Sequence, residues 1–574
     1  VRSLFRRYRD TLSDYRSIVP YAILGIVGGA ASALIILAFD QAIRLTAALW
    51  HVGANGDGFE SLPRWAHFFL PVAGALILGL GFSMLKSEHR ETGVVHVLSR
   101  MHSHYGALPL RNLLLQFFAG AFALGSGQSG GREGVSVHLG GAINSLLGQY
   151  LELPNNSLRV LVACGTAGGI AVAFNTPLAG VIFAMEVIVM EYTVVGFIPV
   201  ILAAVTATAI GHYQLSGTAL LSIPAVSLTS LWEVPFIVLL GICCGTATAG
   251  FVKLYRVSLS QSHRPVALRF LLAGLLTGSL GLLLPEVLGM GYDSLHQILL
   301  GQVAPALLLS LAVAKLITTS VSCGLGMPIG LIGPNLLIGA CIGGFVGTLG
   351  AGIFPEQASQ PLLYMVIGMA AGMGAVLNAP LAAILAVLEL TQTITVAMPA
   401  MLAIIAASLT HSEVFRQRSA HQSALRVLQR EAPDDPLTQL LHRTHVSSTM
   451  EISVGKLTSL LEIDSVESLI NMPATWYLVE RGQEPLYLIR GAELSEWLIE
   501  NPQSEEPYDL TDASIRRWSI TSVPVKANLR QAVDILRKET AEAACIFGRD
   551  TGGSRTLLGV VTLETIEKFT LSNI

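Results

Sequence analysis

Apolar residues in this chain come in long, nearly uninterrupted runs rather than in the alternating or one-faced patterns of a soluble core. The runs fall at about 20–39, 67–86, 110–124, 139–151, 158–173, 178–190, 194–211, 234–252, 268–288, 303–321, 335–353, 361–376, 380–391 and 395–410. A helix needs about 20 residues to cross a hydrocarbon core of roughly 30 Å, and several of these runs are shorter. Short runs interrupted by Gly or Pro predict broken or re-entrant helices, which are tolerated only inside protein or along a cavity. The pattern predicts an all-α polytopic membrane domain over residues 1–430, with a pathway near mid-membrane.

After Glu413 the character changes to a densely charged sequence with strand-like runs at 476–480 and 486–489 and an amphipathic helical stretch at 529–537. Two β-α-β-type units can be drawn, at about 446–500 and 519–574, so residues 431–574 are expected to form a paired α/β regulatory domain.

An internal repeat joins the two halves of the membrane part, about 67–213 and 268–410. Gly165, Ala167, Gly169, Asn175, Pro177, Leu178, Ala179 and Glu186 recur 203 residues later as Gly368, Ala370, Gly372, Asn378, Pro380, Leu381, Ala382 and Glu389. Repeated halves in a transporter place the substrate site at their interface, whether the halves are parallel or inverted.

Composition agrees: of 574 residues, 52% are hydrophobic and 13% charged, against about 25% charged in soluble domains. Mean hydropathy is +0.60. Between Leu161 and Pro224 the only charged residues are Glu186 and Glu191. A net charge of −4 gives no reason to expect nucleic-acid binding. The six cysteines show no metal-ligand or CxxC spacing and read as small core residues. Neither a Ser/His/Asp set nor an HExxH element nor a carboxylate pair converges on one segment, so the chain does not read as an enzyme. No cleavable signal peptide is visible, and Arg2, Arg6, Arg7, Arg9 and Arg16 should stay cytoplasmic by the positive-inside bias. Arg416, Arg418, Arg426 and Arg430 after the last span put the C-terminal part on the same side.

Within this apolar background one carboxylate stands out. Glu133 lies in Gly125-Ser126-Gly127-Gln128-Ser129-Gly130-Gly131-Arg132-Glu133-Gly134-Val135. A charge at membrane depth costs roughly 2.5–3.5 kcal/mol on insertion scales and is kept where it faces a pathway or partner. The glycines let backbone N–H groups approach an anion.

These motifs resemble the CLC family of chloride channels and proton/chloride exchangers, over nearly the whole membrane part. Gly131-Arg132-Glu133-Gly134 is similar to the family's Gly-Arg-Glu-Gly element, 173–180 to its Asn-x-Pro-Leu-Ala-Gly landmark, and 326–334 stands where its Gly-x-Phe-x-Pro element would be. The resemblance implies an inverted-repeat bundle, usually a homodimer in a bacterial inner membrane, that moves chloride or similar anions. It makes Glu133 the gating glutamate and Arg132 a source of positive potential. Thr92, Gly93, Gly134, Leu331, Ile332 and His421 become anion-contact positions. His421 stands at the family's inner-gate tyrosine, and Thr92 at the serine of its inner filter.

The departures are specific. Val135 replaces the proline after Gly-Arg-Glu-Gly, Ile332 replaces a phenylalanine, and Val187 replaces the internal glutamate that relays protons in the family's exchangers. Channel-like or weakly proton-coupled transport is therefore expected; the alternative is proton/chloride antiport using Glu186 or a water chain. The C-terminal pair resembles CBS domains, which often bind adenine nucleotides. Thr565 stands in place of their ribose-binding Asp and the first unit lacks the motif. A chain acting mainly as a nucleotide sensor is a further reading, and no cofactor is required for transport.

Overall fold

The computed structural model describes residues 18–52, 57–190, 194–214, 226–301, 303–353, 359–430, 440–441, 444–463, 466–471, 474–482, 484–502, 507–511, 513–525, 527–549 and 555–573. They fall into two units, one of residues 18–151 and 158–430, the other of residues 152–157 and 440–573. The basic run Arg2 to Arg16 and Glu191 lie outside the described residues.

The first unit is helical. Eight of its described helices are long and apolar enough to cross a membrane, from Val19–Ala48 to Ile394–Val414. Between them lie shorter apolar helices, Leu110–Gly125, Pro177–Val189, Gly196–His212, Pro361–Leu377 and Pro380–Thr391. Short helices inside a bilayer leave terminal N–H and C=O groups unpaired at depth, and these must find partners in the protein.

The repeated Asn-x-Pro element shows how such partners are found. Asn175 and Asn378 both adopt the left-handed conformation, with φ of 58° and 53°, which stops the preceding helices Asn155–Phe174 and Pro361–Leu377. Pro177 and Pro380 then open new helices at a position where no N–H is needed. Glu186, at the far end of the first of these, accepts N–H bonds from Leu381 (3.4 Å) and Ala382 (2.8 Å) at the start of the second. Glu389 returns the favour to Leu178 (3.0 Å) and Ala179 (2.8 Å). Each helix thus carries the cap of the other, so the pair runs antiparallel and these two parts of the repeat are inverted.

A second contact recurs symmetrically, once inside each half. Helices Glu133–Tyr150 and Asn155–Phe174 cross where Gly140 and Gly165 bring backbone onto backbone, and Ile332–Ile353 crosses Pro361–Leu377 in the same way at Gly339 and Gly368. A Cβ at any of these four would meet a carbonyl oxygen of the facing helix.

The second unit holds two three-stranded sheets of identical topology. Val454–Thr458 runs parallel to Trp476–Arg481, which pairs antiparallel with Glu484–Arg490. Ile520–Pro524, Ala543–Arg549 and Arg555–Thr562 repeat the order. Each expected β-α-β unit therefore gains a hairpin strand and a closing helix, Gly491–Glu500 or Leu563–Asn573. The sheets share a core of Trp476, Leu488, Trp518, Cys545 and Val560. Arg490 packs its guanidinium against Trp476 and Trp518, 5.3 and 4.9 Å from the ring centroids.

Candidate functional site

Two loops meet at the centre of the membrane unit. Gly131 and Gly330 form an antiparallel bridge, each N–H donating to the other's carbonyl at 2.8 and 2.7 Å. Immediately after the bridge each loop becomes a helix, Glu133–Tyr150 and Ile332–Ile353. First-turn N–H groups of both helices have no intrahelical acceptor and carry partial positive charge.

Glu133 is fully buried. Its carboxylate reaches the other helix: Oε2 accepts the Gly333 N–H at 3.1 Å, and the Tyr292 hydroxyl donates to Oε1. The side chain folds back over Gly131, where a Cβ would collide with it. A carboxylate therefore occupies a helix N-terminus of the kind that binds free anions.

Arg132 has a different fate. Its guanidinium pairs with Asp40, donates to the Ala173 carbonyl at 2.8 Å, and lies 5.5 Å from the centroid of the Tyr292 ring. It holds structure around Glu133, and much of its charge is offset by Asp40.

Beside the two loops lies a cavity of about 530 Å³. Thr92, Gly93, Gly134, Leu331, Ile332 and His421 all line it, so the fold brings together every expected anion-contact position except Arg132. Arg90, Arg264, Arg269 and Arg430 also line it, with Glu91 the one carboxylate among its lining residues. Such a mouth raises the local concentration of anions. Thr92 heads helix Gly93–Ser103 with its side chain making no capping bond. The Gly93 N–H, by contrast, is taken by Gln116 Oε1 at 2.6 Å. Among the described residues His421 is buried with no hydrogen bond to either ring nitrogen, and burial pushes it down to about 4 from 6.5, so it is neutral near pH 7.

Val187 is buried in the π-helical turn Ala184–Val189, and its neighbour Glu186 is engaged as the cap described above.

Several contributors are not signalled by any local motif. Tyr292 reaches Glu133 from 159 residues away, and its own N–H is held by Asp57 at 2.8 Å. Gln116 donates through Nε2 to the Pro328 carbonyl at 3.1 Å while accepting from Gly93, tying the 326–333 loop to the start of helix Gly93–Ser103 with one amide. Lys315, fully buried, donates to the carbonyls of Val287 and Gly289 at 2.9 Å each. A lone lysine or glutamine in an apolar run was the available signal.

In the C-terminal unit, Thr565 is engaged locally. Its hydroxyl accepts from the Thr562 N–H at 2.8 Å, while its own N–H donates to Thr562 Oγ1 at 3.2 Å.

Comparison with known proteins identifies the family of the membrane part. The family model described as "Voltage gated chloride channel" matches residues 73–412. A ClcB-like protein of Ralstonia nicotianae is 33% identical over 404 residues, 68% of this chain and 92% of its own length. An H(+)/Cl(-) exchange transporter ClcA of Vibrio cholerae is 29% identical over 438 residues, 72% of this chain and 93% of its own. Among solved structures, a slow cyanobacterial Cl-/H+ antiporter superposes with a TM-score of 0.61 at 22% identity, covering 72% of this chain and 97% of its own. A eukaryotic CLC transporter does so with 0.59 at 20% identity, over 95% of this chain and 97% of its own. The helical architecture, the paired loops and these matches together make the chain a member of the voltage gated chloride channel (CLC) family, an integral membrane protein of anion transport and not an enzyme.

Proposed function

We propose that the chain moves chloride or a similar monovalent anion along the path between the 130–134 and 326–333 loops, with Glu133 as the gate, in a channel-like or weakly proton-coupled manner. The observation that carries this reading is the Glu133 carboxylate seated on the N-terminus of the Ile332–Ile353 helix. An anion and this carboxylate compete for the same donors, so the path opens when the side chain leaves or takes up a proton. Thr92, Gly134, Leu331, Ile332 and His421 then form the path's contact surface, Gly93 contributes backbone shape, and Arg132 holds Glu133 in place.

Weak coupling follows from Val187, which cannot carry a proton. Glu186 is a poor substitute, because its carboxylate already accepts two helix N–H groups. The test is Glu133→Gln in liposomes, read as anion flux with and without a pH gradient. Flux should rise and its pH dependence disappear; unchanged flux would remove Glu133 from the mechanism. A reversal potential that follows a fixed proton:chloride ratio would replace the channel-like reading with antiport.

The C-terminal unit is proposed as a CBS-like regulatory pair on the cytoplasmic side, in a protein working as a homodimer. The support is its two copies of one sheet topology. Titration calorimetry with ATP and AMP decides whether it binds adenine nucleotides, since Thr565 is committed to a local cap.

A further inference from the structure

A gate that is released by a proton needs a proton supply, and Val187 removes the position through which the resemblance would have drawn it. Two histidines deep in the same unit are not used by anything described so far. His96 Nδ1 and His138 Nε2 lie 2.8 Å apart, with the rings stacked at 30° and 5.1 Å between centroids. Both are buried, at 3% and 0% exposure. Burying two imidazoles in a membrane domain costs free energy that one hydrogen bond only partly offsets.

The ends of this pair differ. At one end His96 Nε2 lies 3.6 Å from Glu91 Oε2, just beyond hydrogen-bond length, and both residues line the cavity. Glu91 is itself anchored by Arg430 at 2.5 Å. At the other end His138 Nδ1 is buried with no hydrogen-bond partner among the described residues. His138 lies one helical turn after Gly134, which lines the cavity, and on the helix that Glu133 heads.

We infer that Glu91, His96 and His138 form a proton relay from the cavity mouth to the interior beside Glu133, in place of the acid absent at Val187. This rests on the gating reading of Glu133. The step balances without a co-reactant. A proton passes from Glu91 to His96 Nε2; His96 Nδ1 hands its proton to His138 Nε2; His138 Nδ1 releases a third proton inward. One proton enters, one leaves, and both rings end in the opposite tautomer. A proton moving the other way, or rotation of both rings, resets them. The remaining five residues of helix, about 7.5 Å, are crossed through water in the anion path beside Gly134. The other charged or titratable groups around His96 are Arg100, His104 and Arg430, with His421 on the same cavity. The three arginine and histidine neighbours disfavour a lasting positive charge on the pair, which suits transfer rather than storage.

The test uses planar bilayers with the two sides buffered separately. For each protein, anion current with the cavity side acidified is divided by its own current with that side neutral. His138→Gln and His96→Gln, which keep a hydrogen-bonding amide but cannot relay, should lose this acid response by ~100-fold, the lower end of what a positioned proton-transfer group supplies. The response to acid on the opposite side should persist. Glu91→Gln, at the half-exposed end of the chain of groups, tests the same route without touching the core and should change the response in the same direction. A cavity-side acid response that survives in Glu91→Gln and in folded histidine variants overturns the relay. If instead Glu133→Gln leaves the acid response of the unmodified protein intact, it is the gate reading that fails, whatever the histidines do.

Discussion

Glu133 and the pair Glu186/Glu389 do chemically similar things with different consequences. Each is a carboxylate set on the N-terminus of a helix from the opposite repeat. Glu186 and Glu389 accept two N–H bonds each, return the same service to each other and hold a symmetric junction. From the second repeat Glu133 accepts one backbone N–H and one tyrosine hydroxyl, and the helix it meets there is headed by Ile332, not by a carboxylate. The difference teaches that a carboxylate at a helix end is a cap when its donors saturate and pair it, and a candidate gate when they are few, asymmetric and beside a cavity.

The sharpest way to break this comparison is to remove both caps. Glu186→Ala with Glu389→Ala leaves four helix N–H groups unpaired and should cost about 3 kcal/mol, read as a fall in the thermal midpoint in detergent. A double variant that melts normally but loses proton sensitivity would make Glu186 a relay acid and erase the distinction. Next in size is Gly131→Ala, whose new methyl meets the Glu133 carboxylate. It should push the side chain off its site and raise anion flux as Glu133→Gln does, by roughly 10- to 100-fold, the value of about one charge-assisted hydrogen bond. A blocked path with Glu133 still seated would count against displacement as the opening step. Tyr292→Phe removes one of the two donors and should loosen the gate by about 1 kcal/mol, seen as a several-fold increase in flux; no change would leave Gly333 as the sufficient donor.

The smallest expected effect is on stability against pH. His421 has a folded value near 4, below its ordinary 6.5, so the unfolded chain binds the proton more readily. Its contribution is complete above about 6.5 and is lost as pH falls toward 4. His421→Phe should flatten that part of the acid unfolding curve, and an unchanged slope would mean the ring is hydrated in the folded protein.

How much of this could be read from the sequence depends on the range of the interaction. Asn175 and Asn378 announce themselves, because a left-handed residue before a helix-opening proline is a local demand that few residue types meet. Glu133 was visible because a charge in an apolar run is costly. Its partners were not: Gly333 lies 200 residues away and Tyr292 159, and Tyr292 stands between two apolar runs with no motif around it. The repeat suggested a shared role for Glu186 and Glu389, but only the inverted packing shows that each caps the other's helix. His96 and His138 are separated by 42 residues and by a turn of chain that no pattern predicts, so each alone reads as a core histidine. The Gly93 amide is a further case that no pattern announces, since its N–H is held by Gln116 from 23 residues away.

The backbone crossings at Gly140/Gly165 and Gly339/Gly368 bear on how the machine moves. Helices touching main chain to main chain are interlocked like meshed gears with no clearance, and sliding or rocking one past the other would first have to prise them apart. Each crossing lies inside one half, so what it stiffens is that half itself. What moves cheaply within such a stiff half is a rotor of a few atoms, and under the proposed Glu133 gate flux should have the shallow temperature dependence of a side-chain hop.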